Sequence, residues 1–490
     1  LQSMSEELGL LPANELLTLL ASKTISSVEL LEHLLSRYEV LGSQLNAIIT
    51  FDADIALEAA RSIDNARANG ESVGKLAGLP MTVKDALAVK GVRSTGGAVE
   101  LENHVPIKDA DVVANVRNAG AVVFGKTNLP RWSGDVQATN EMFGTTNNPW
   151  DLSRGPGGSS GGASAALAAG LTTLEIGTDI GGSVRLPAHF AGVCGHKPSY
   201  GVVSQRGYID HVSYGHGDAD VNVVGPLARC VDDLELLFNV LLEPRTRADQ
   251  PLKLTLPAPR GDARKIRVAA WLNDEHCPIG SDVAGVLEAA VSAIRADGIR
   301  VDETARPDVK FEDVHTVGLP LISAATSLGR TDEEFKALQE VIENKSSEDP
   351  TLVMRASAST IAHRDWLLLA ETRDKNRSKW SNFFKSWDVL LAPVAITAAF
   401  HHQIEGNLYT RTLDVDGEDR PYADLIVWTS QFGYVYLPST VVPVGKTKRG
   451  LPIGIQVVGP YLGDRTTIEF AKYIEQLLGG YEVPPLAKIN

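Results

Sequence analysis

Few stretches restrict a fold as tightly as Gly155 to Gly201 of this chain. It runs Gly-Pro-Gly-Gly-Ser-Ser-Gly-Gly, then a small-residue segment, then Gly-Thr-Asp-Ile-Gly-Gly-Ser-Val-Arg. Two glycine-bracketed serines, Ser159 and Ser183, stand on either side of an Ala-rich run. Ser164 to Ala169 has few side chains bulky enough to resist close packing, and Gly170 suits a helix C-cap. Leu171 to Ile176 reads as a buried strand leading into the second glycine loop. Loop, helix, strand and loop then fold back and bring the serines together. Glycine beside a serine has a chemical use, because adjacent N–H groups can converge on a developing oxyanion with no Cβ in the way.

Four readings compete for this stretch. The plainest is a pair of glycine-rich turns packing a helix on a sheet. A phosphate-binding loop needs a Gly-Lys-Ser/Thr that is missing here. Gly158-Ser159-Ser160-Gly161-Gly162 satisfies G-x-S-x-G with Ser160 as nucleophile, but that elbow requires a hydrophobic strand directly before it. Asn148 to Pro156, with two prolines and a run of polar residues, cannot supply one. The fourth reading is a resemblance: the whole ordered pattern, with its serines 24 positions apart, is similar to the amidase signature family. Gly78-Leu79-Pro80-Met81-Thr82-Val83-Lys84-Asp85 matches the family's lysine-bearing strand end, which gives Lys84 the third catalytic role.

The resemblance extends from about Ser26 to the C-terminus. It includes Lys126-Thr127-Asn128, Phe143 to Trp150, Gly195 to Gly201, Val224 to Arg229 (expected to open a helix) and Leu451 to Pro460. It implies an α/β fold, a large mixed, mostly parallel twisted sheet with helices on both faces. The alternation of the helix expected at 109–118 with the strand expected at 121–124 points to the same class. We expect one domain over 4–490. Its parts are a helical segment at 4–70, a catalytic core at 78–230, a variable region at 245–355 and a closing helix and strands at 360–490. Ser26-Ser27-Val28-Glu29 is a capping-box pattern opening an amphipathic helix. Pro244 to Pro259 reads as a linker, and Glu303 to Met354 as a lid or substrate-facing stretch.

Amide hydrolysis needs a nucleophile, a base, an acid for the leaving nitrogen and oxyanion stabilisation. By resemblance Ser183 is the nucleophile, with the N–H groups of Ile180, Gly181, Gly182 and Ser183 as oxyanion hole. Ser159, on a cis peptide bond, relays the proton between Ser183 and Lys84. An ordinary lysine, of pKa about 10.4, is neutral in fewer than about one molecule in a thousand at pH 7. Lys84 therefore has to be desolvated to serve as base, and the apolar run before it suits that. Asp179 and Arg185 are expected to brace the loop as an ion pair, with Thr178 hydrogen-bonded within it. Trp132, Ser133, Gly134, Asp135 and Gln137 occupy the segment that skirts the acyl pocket in relatives. Where relatives have a Thr/Gly-rich turn, this chain has Phe432-Gly433-Tyr434-Val435-Tyr436, so Tyr434 and Tyr436 are expected to reshape the pocket.

Composition narrows the rest. The formal charge of −15 over 490 residues weighs against non-specific binding to nucleic acid or anionic membranes. No apolar run approaches 18 residues, and Met4 reads as the native start after Leu1 to Ser3. Three scattered cysteines, Cys194, Cys230 and Cys277, suit reduced thiols in a cytoplasm. Asp210, His211, His216 and Asp218 match no standard metal spacing. We expect no metal and no organic cofactor. The expected partner is a small-molecule amide, with neither nucleic acid nor membrane, and the N-terminal helices are compatible with a homodimer. The expected activity is amide C–N hydrolysis by a free-standing enzyme, extending to esters, anilides, hydrazides or carbamates. The alternatives are the glutaminase subunit of a tRNA-dependent amidotransferase and a non-catalytic binding protein of the same fold.

Overall fold

A computed structural model of the protein describes residues 8–210, 215–243, 245–247, 250–252, 254–344 and 350–488. The N-terminal segment forms α1 (Ala13–Ala21), α2 (Ser27–Leu45) and α3 (Ala53–Ala68), with a strand the sequence reading lacked, β1 (Ile48–Phe51), between the last two. The Ser26–Glu29 capping box forms as expected, satisfying orphan N–H groups at the start of α2. Leu30, Leu31 and Leu34 are buried inside the protein. Arg37 of α2 reaches the carbonyls of Ala169, Gly170 and Ala487, at 2.8, 3.1 and 3.0 Å. It thereby ties the N-terminal helices to the C-terminal end of the Ala-rich helix and to the chain's last turn.

The core follows as β2 (Pro80–Lys84), α4 (Asp111–Asn118), β3 (Val122–Thr127), α5 (Gly161–Ala168), β4 (Glu175–Asp179), α6 (Arg185–Ala191), β5 (Cys194–Lys197), β6 (Val223–Ala228) and α7 (Val231–Leu241). Three boundaries differ from expectation. Residues 171–174 form a turn rather than a strand, in which Thr172 Oγ1 accepts from Thr82 N at 3.0 Å and Thr173 Oγ1 donates to Pro80 O at 2.7 Å. Side-chain hydroxyls there do what a backbone ladder would do. Val224 to Arg229 opens as β6, with a helix starting only at Val231. The stretch read as a linker includes a short antiparallel pair, Arg245–Arg247 with Gln250–Leu252.

The second half contributes β7 (Val268–Ala270), α8 (Ser281–Ala296), β8 (Val301–Asp302), α9 (Leu319–Ala325), α10 (Asp332–Glu343), α11 (Pro350–Ser359), α12 (His363–Ser386) and β9 (Val389–Pro393). It ends with α13 (Val427–Gly433), β10 (Ser439–Lys446), β11 (Pro452–Val458) and α14 (Asp464–Leu478). Eleven strands join in the order β1-β3-β2-β4-β6-β5-β10-β11-β9-β7-β8. The sheet is large and mixed, as expected. Parallel pairing holds in two flanking groups, β3-β2-β4 and β9-β7-β8, while the centre, from β4 to β9, is antiparallel. The antiparallel centre includes the consecutive strands β10 and β11, which pair directly.

Helices lie on both faces. Successive residues of β10 point to opposite sides: Thr440 Oγ1 meets Thr467 of α14 at 2.9 Å, while the neighbouring Val441 packs with Gly454 of β11 under His189 of α6. Every residue of α5 is buried, which only its Gly, Ala and Ser content permits at that closeness. Among the described residues no helix is long and apolar enough to cross a membrane.

Candidate active site

Three loops meet beyond the ends of β2 and β4. The first carries Lys84, the last residue of β2, whose five residues are all buried. Its Nζ lies 2.6 Å from Ser159 Oγ and 2.8 Å from Thr178 Oγ1, with 0% of the residue exposed. Burial pushes this amine down from 10.5 to about 7, and the carboxylates of Asp179 and Glu175 pull in the other direction. Thr178 was expected to bond within its own loop. It instead reaches across to the neighbouring strand and holds the lysine.

The second loop places Ser159 after a cis Gly158–Ser159 peptide bond, as the resemblance implies. A Cβ at Gly158 would stand 2.6 Å from the backbone of Val136 and Gln137, so only glycine lets the loop lie this close to that segment. Ser160 turns away: its Oγ donates to Thr178 O at 3.3 Å, between α5 and β4, which agrees with its rejection as a nucleophile. Ser160 N–H donates to Ser183 C=O at 3.1 Å and so stitches the second loop to the third. The hydroxyls of Ser159 and Ser183 do not hydrogen-bond directly. Lys84 and Ser159 are sealed at 0% exposure, while Ser183 is open at 7%.

The third loop, from Ile180 to Ser183, is shaped by Asp179. Its carboxylate pairs with Arg185 at 2.8 Å, the ion pair expected from the sequence, with both side chains fully buried. Burial would raise this carboxyl, but the guanidinium and the backbone donors hold it below its usual range. The same carboxylate accepts from the N–H of Gly182 at 2.9 Å and of Val184 at 3.1 Å. That corrects one expectation: the Gly182 N–H is already engaged and cannot serve an oxyanion. The N–H groups of Ile180, Gly181 and Ser183 have no protein partner among the described residues. Gly182 has φ +126°, and a Cβ there would meet Thr429 Oγ1 at 2.6 Å. Thr429 in turn bonds Gly181 O at 2.6 Å and receives Arg185 Nη1 on its own carbonyl at 2.7 Å. Asp179→Ala would leave a buried guanidinium unpaired and the loop unbraced. We expect a loss of about 3–5 kcal/mol in urea unfolding, with activity falling in parallel.

Beside Ile180 a narrow cavity of about 30 Å³, little more than the volume of one water, is lined by Trp132, Ser133, Tyr208, Asp210, Asn222 and Thr326 among others. Trp132 and Ser133 are both at positive φ (51° and 58°), with the indole between Gly96 and Gly329. Ala325, Thr326 and Gly329 bring the 303–354 stretch to this wall.

The other pocket candidates do not line the cavity. Gly134 is exposed. Asp135 is taken by Arg411 at 2.5 Å and by the Tyr422 hydroxyl at 3.0 Å. Gln137 is bonded to the backbone of Gln403. Tyr434 turns to Asn376 of α12 at 3.0 Å, and Tyr436 stacks on Tyr200 at 4.2 Å and bonds Asp220. The aromatic turn packs behind the site rather than inside it. Two residues went unrecognised in the sequence. Tyr208, whose phenol faces the hydroxyls of Ser133 and Thr178, belongs to no motif. Glu175 carried a visible signal, a charged residue inside the apolar run Leu174–Ile176.

Among the described residues no three His, Cys, Asp or Glu are arranged to hold a metal ion; His211 lies outside them. Cys194 and Cys277 are buried and Cys230 half-buried, and burial raises each thiol.

Comparison with known proteins bears on the family of the chain. The family model described as Amidase matches residues 29–468. A glutamyl-tRNA(Gln) amidotransferase subunit from Moorella thermoacetica is 32% identical, over 96% of this chain and 97% of its own. The protein of the same name from Burkholderia pseudomallei is 33% identical, over 93% and 95%. A bacterial aryl acylamidase of the amidase signature enzymes superposes with a TM-score of 0.82 at 25% identity, covering 98% of this chain and 99% of that one. The name of the first two couples those relatives to a tRNA and to a larger assembly, so the expectation of no nucleic-acid partner finds no support here. Matched along most of its length by the family model and by relatives at 32% identity or more, the chain belongs to the amidase signature family, hydrolases that act on carbon–nitrogen bonds.

Proposed function

We propose that the protein cleaves the C–N bond of a compact amide by acyl transfer to Ser183, with Ser159 as relay and Lys84 as base. One observation carries this reading: a fully buried amine held by two hydroxyls, Ser159 and Thr178, and touched by no carboxylate. With no carboxylate in contact to hold a charge, a neutral amine there keeps a lone pair that can accept the Ser159 proton, which is the form a base needs. Ser183 Oγ attacks the carbonyl as its proton passes to Ser159 and that of Ser159 to Lys84. The N–H groups of Ile180, Gly181 and Ser183 take up the oxyanion. The proton returns along the same path to the leaving nitrogen, and water then releases the acyl group.

Two readings of the amide follow. The cavity wall mixes Trp132, Ile180, Tyr208 and Ala325 with the polar Ser133, Asp210, Asn222 and Thr326. The first reading is a free-standing amidase for small amides or anilides, with esters and carbamates open to the same intermediate. The names of the relatives favour glutamine, with this chain as the ammonia-releasing member of an assembly acting on a charged tRNA; on sequence likeness this second reading has the stronger support. A panel of primary amides, anilides, carbamates and glutamine, read by mass spectrometry on the isolated chain, separates them. Turnover of anilides with glutamine untouched supports the first. Glutamine hydrolysis that appears only when partner proteins of such an assembly are added supports the second.

A further inference from the structure

Six fully buried ionisable groups crowd the ends of β2, β3 and β4: Lys84, Asp85, Lys126, Glu175, Asp179 and, from α6, Arg185. Four of them close into two direct ion pairs, Lys126 with Asp85 at 3.1 Å and Arg185 with Asp179 at 2.8 Å. Lys84 and Glu175 are left over. The lysine bonds only hydroxyls, and neither carboxyl oxygen of Glu175 has a hydrogen-bond partner among the described residues. The hydroxyls of Thr82 and Thr127 face that carboxyl without closing a well-formed bond to it. Glu175 sits opposite Thr82 in the parallel register, two residues before Lys84 on the same face. The Cα atoms of Glu175 and Lys84 are therefore on the order of 8 Å apart.

Two separated charges in a site closed to water lose hydration that no direct contact returns. One proton moved from Nζ of Lys84 to a carboxyl oxygen of Glu175 leaves both neutral. We infer that Glu175 is a positioning residue for the base: as a carboxylic acid it keeps the proton that Lys84 must be without, so that the buried cluster is balanced when the amine is free. The directions of the shifts agree, since burial raises the carboxyl and lowers the amine, while an ionised Glu175 would pull the amine back up. The remaining groups around the pair are accounted for. Lys126, paired with Asp85, also faces Glu175 and pulls its carboxyl down, against the larger effect of burial; Asp109 lies behind Lys126, and Tyr208 faces Thr178. Lys197, which burial also lowers, faces Asp179, Asp464 and Arg185 rather than Glu175.

The inference rests on Lys84 as the base. Its test is the pH profile of kcat/KM for whichever substrate of the panel is turned over. Glu175→Gln keeps the side chain uncharged, as the carboxylic acid is in the wild type, so the acid limb is expected to stay within about a few tenths of a pH unit of the wild-type midpoint. Were Glu175 ionised while Lys84 works, removing its charge would move the limb to lower pH by about one unit, and that shift in folded Glu175→Gln overturns the inference. Should that variant not fold, infrared titration of the wild type decides: a carboxylic-acid C=O band persisting at pH 6 is expected, and its absence overturns the inference. A Lys84→Ala protein with the wild-type rate and limb would instead remove the base assignment itself, whereas an inactive Lys84→Ala beside a Glu175→Gln limb shifted to lower pH removes only the role of Glu175.

Discussion

Ser183→Ala is expected to lower kcat/KM by at least about 10⁴-fold and to abolish labelling by a fluorophosphonate. Its melting temperature and far-ultraviolet spectrum should stay those of the wild type. The size of the loss follows from the geometry. Ser183 is the least buried member of the group, and it lies beside N–H donors without a partner among the described residues. Ser160 is buried against β4, and the cysteine thiols are raised by burial. The residual rate reports what the oxyanion donors and substrate positioning contribute by themselves. An alanine variant that keeps wild-type turnover would move the nucleophile elsewhere.

Lys84→Ala is expected to cost about 10³–10⁴ in kcat, the range for losing a positioned general base. The sign of the pH dependence can be worked out. Lys84 acts when neutral, and burial brings it to about 7, so the wild-type rate falls about tenfold for each pH unit well below that value and levels off above it. Without the amine, proton removal depends on hydroxide, and the residual rate should rise steadily with pH through the alkaline range. Lys84→Arg does not rescue, because a guanidinium remains charged at every accessible pH. Equal rates for wild type and Lys84→Ala across pH 6–9 would be incompatible with the base assignment.

What could be read in the sequence was chemistry that is local along the chain. The glycines around Ser159 and Ser183, the apolar run before Lys84, and Asp179 with Arg185 six residues on all sit in short segments whose residue types restrict their surroundings. What could not be read depended on parts of the chain meeting. Thr178 holds Lys84 because β2 and β4 are neighbours in the sheet, not because of anything in its own loop. The Gly182 N–H is lost to the oxyanion because the loop curls onto Asp179. Tyr434 and Tyr436 precede β10 in sequence, yet their hydroxyls are claimed by Asn376 and Asp220, from remote segments. Val224 to Arg229 was expected to open a helix, but β6 runs through Pro226, because Val223 and Val224 and the burial of the whole strand outweigh the missing donor. The 303–354 stretch offered no motif, and its helices reach the pocket wall through Ala325, Thr326 and Gly329.

The account depends on an amine that carries no proton at the working pH, and nitrogen-15 NMR of the lysine side chains observes that directly. With the Lys84 resonance assigned by its loss in Lys84→Ala, the amine is predicted to titrate with a midpoint near 7. A resonance that stays protonated until about pH 10, like an ordinary lysine, would contradict the account.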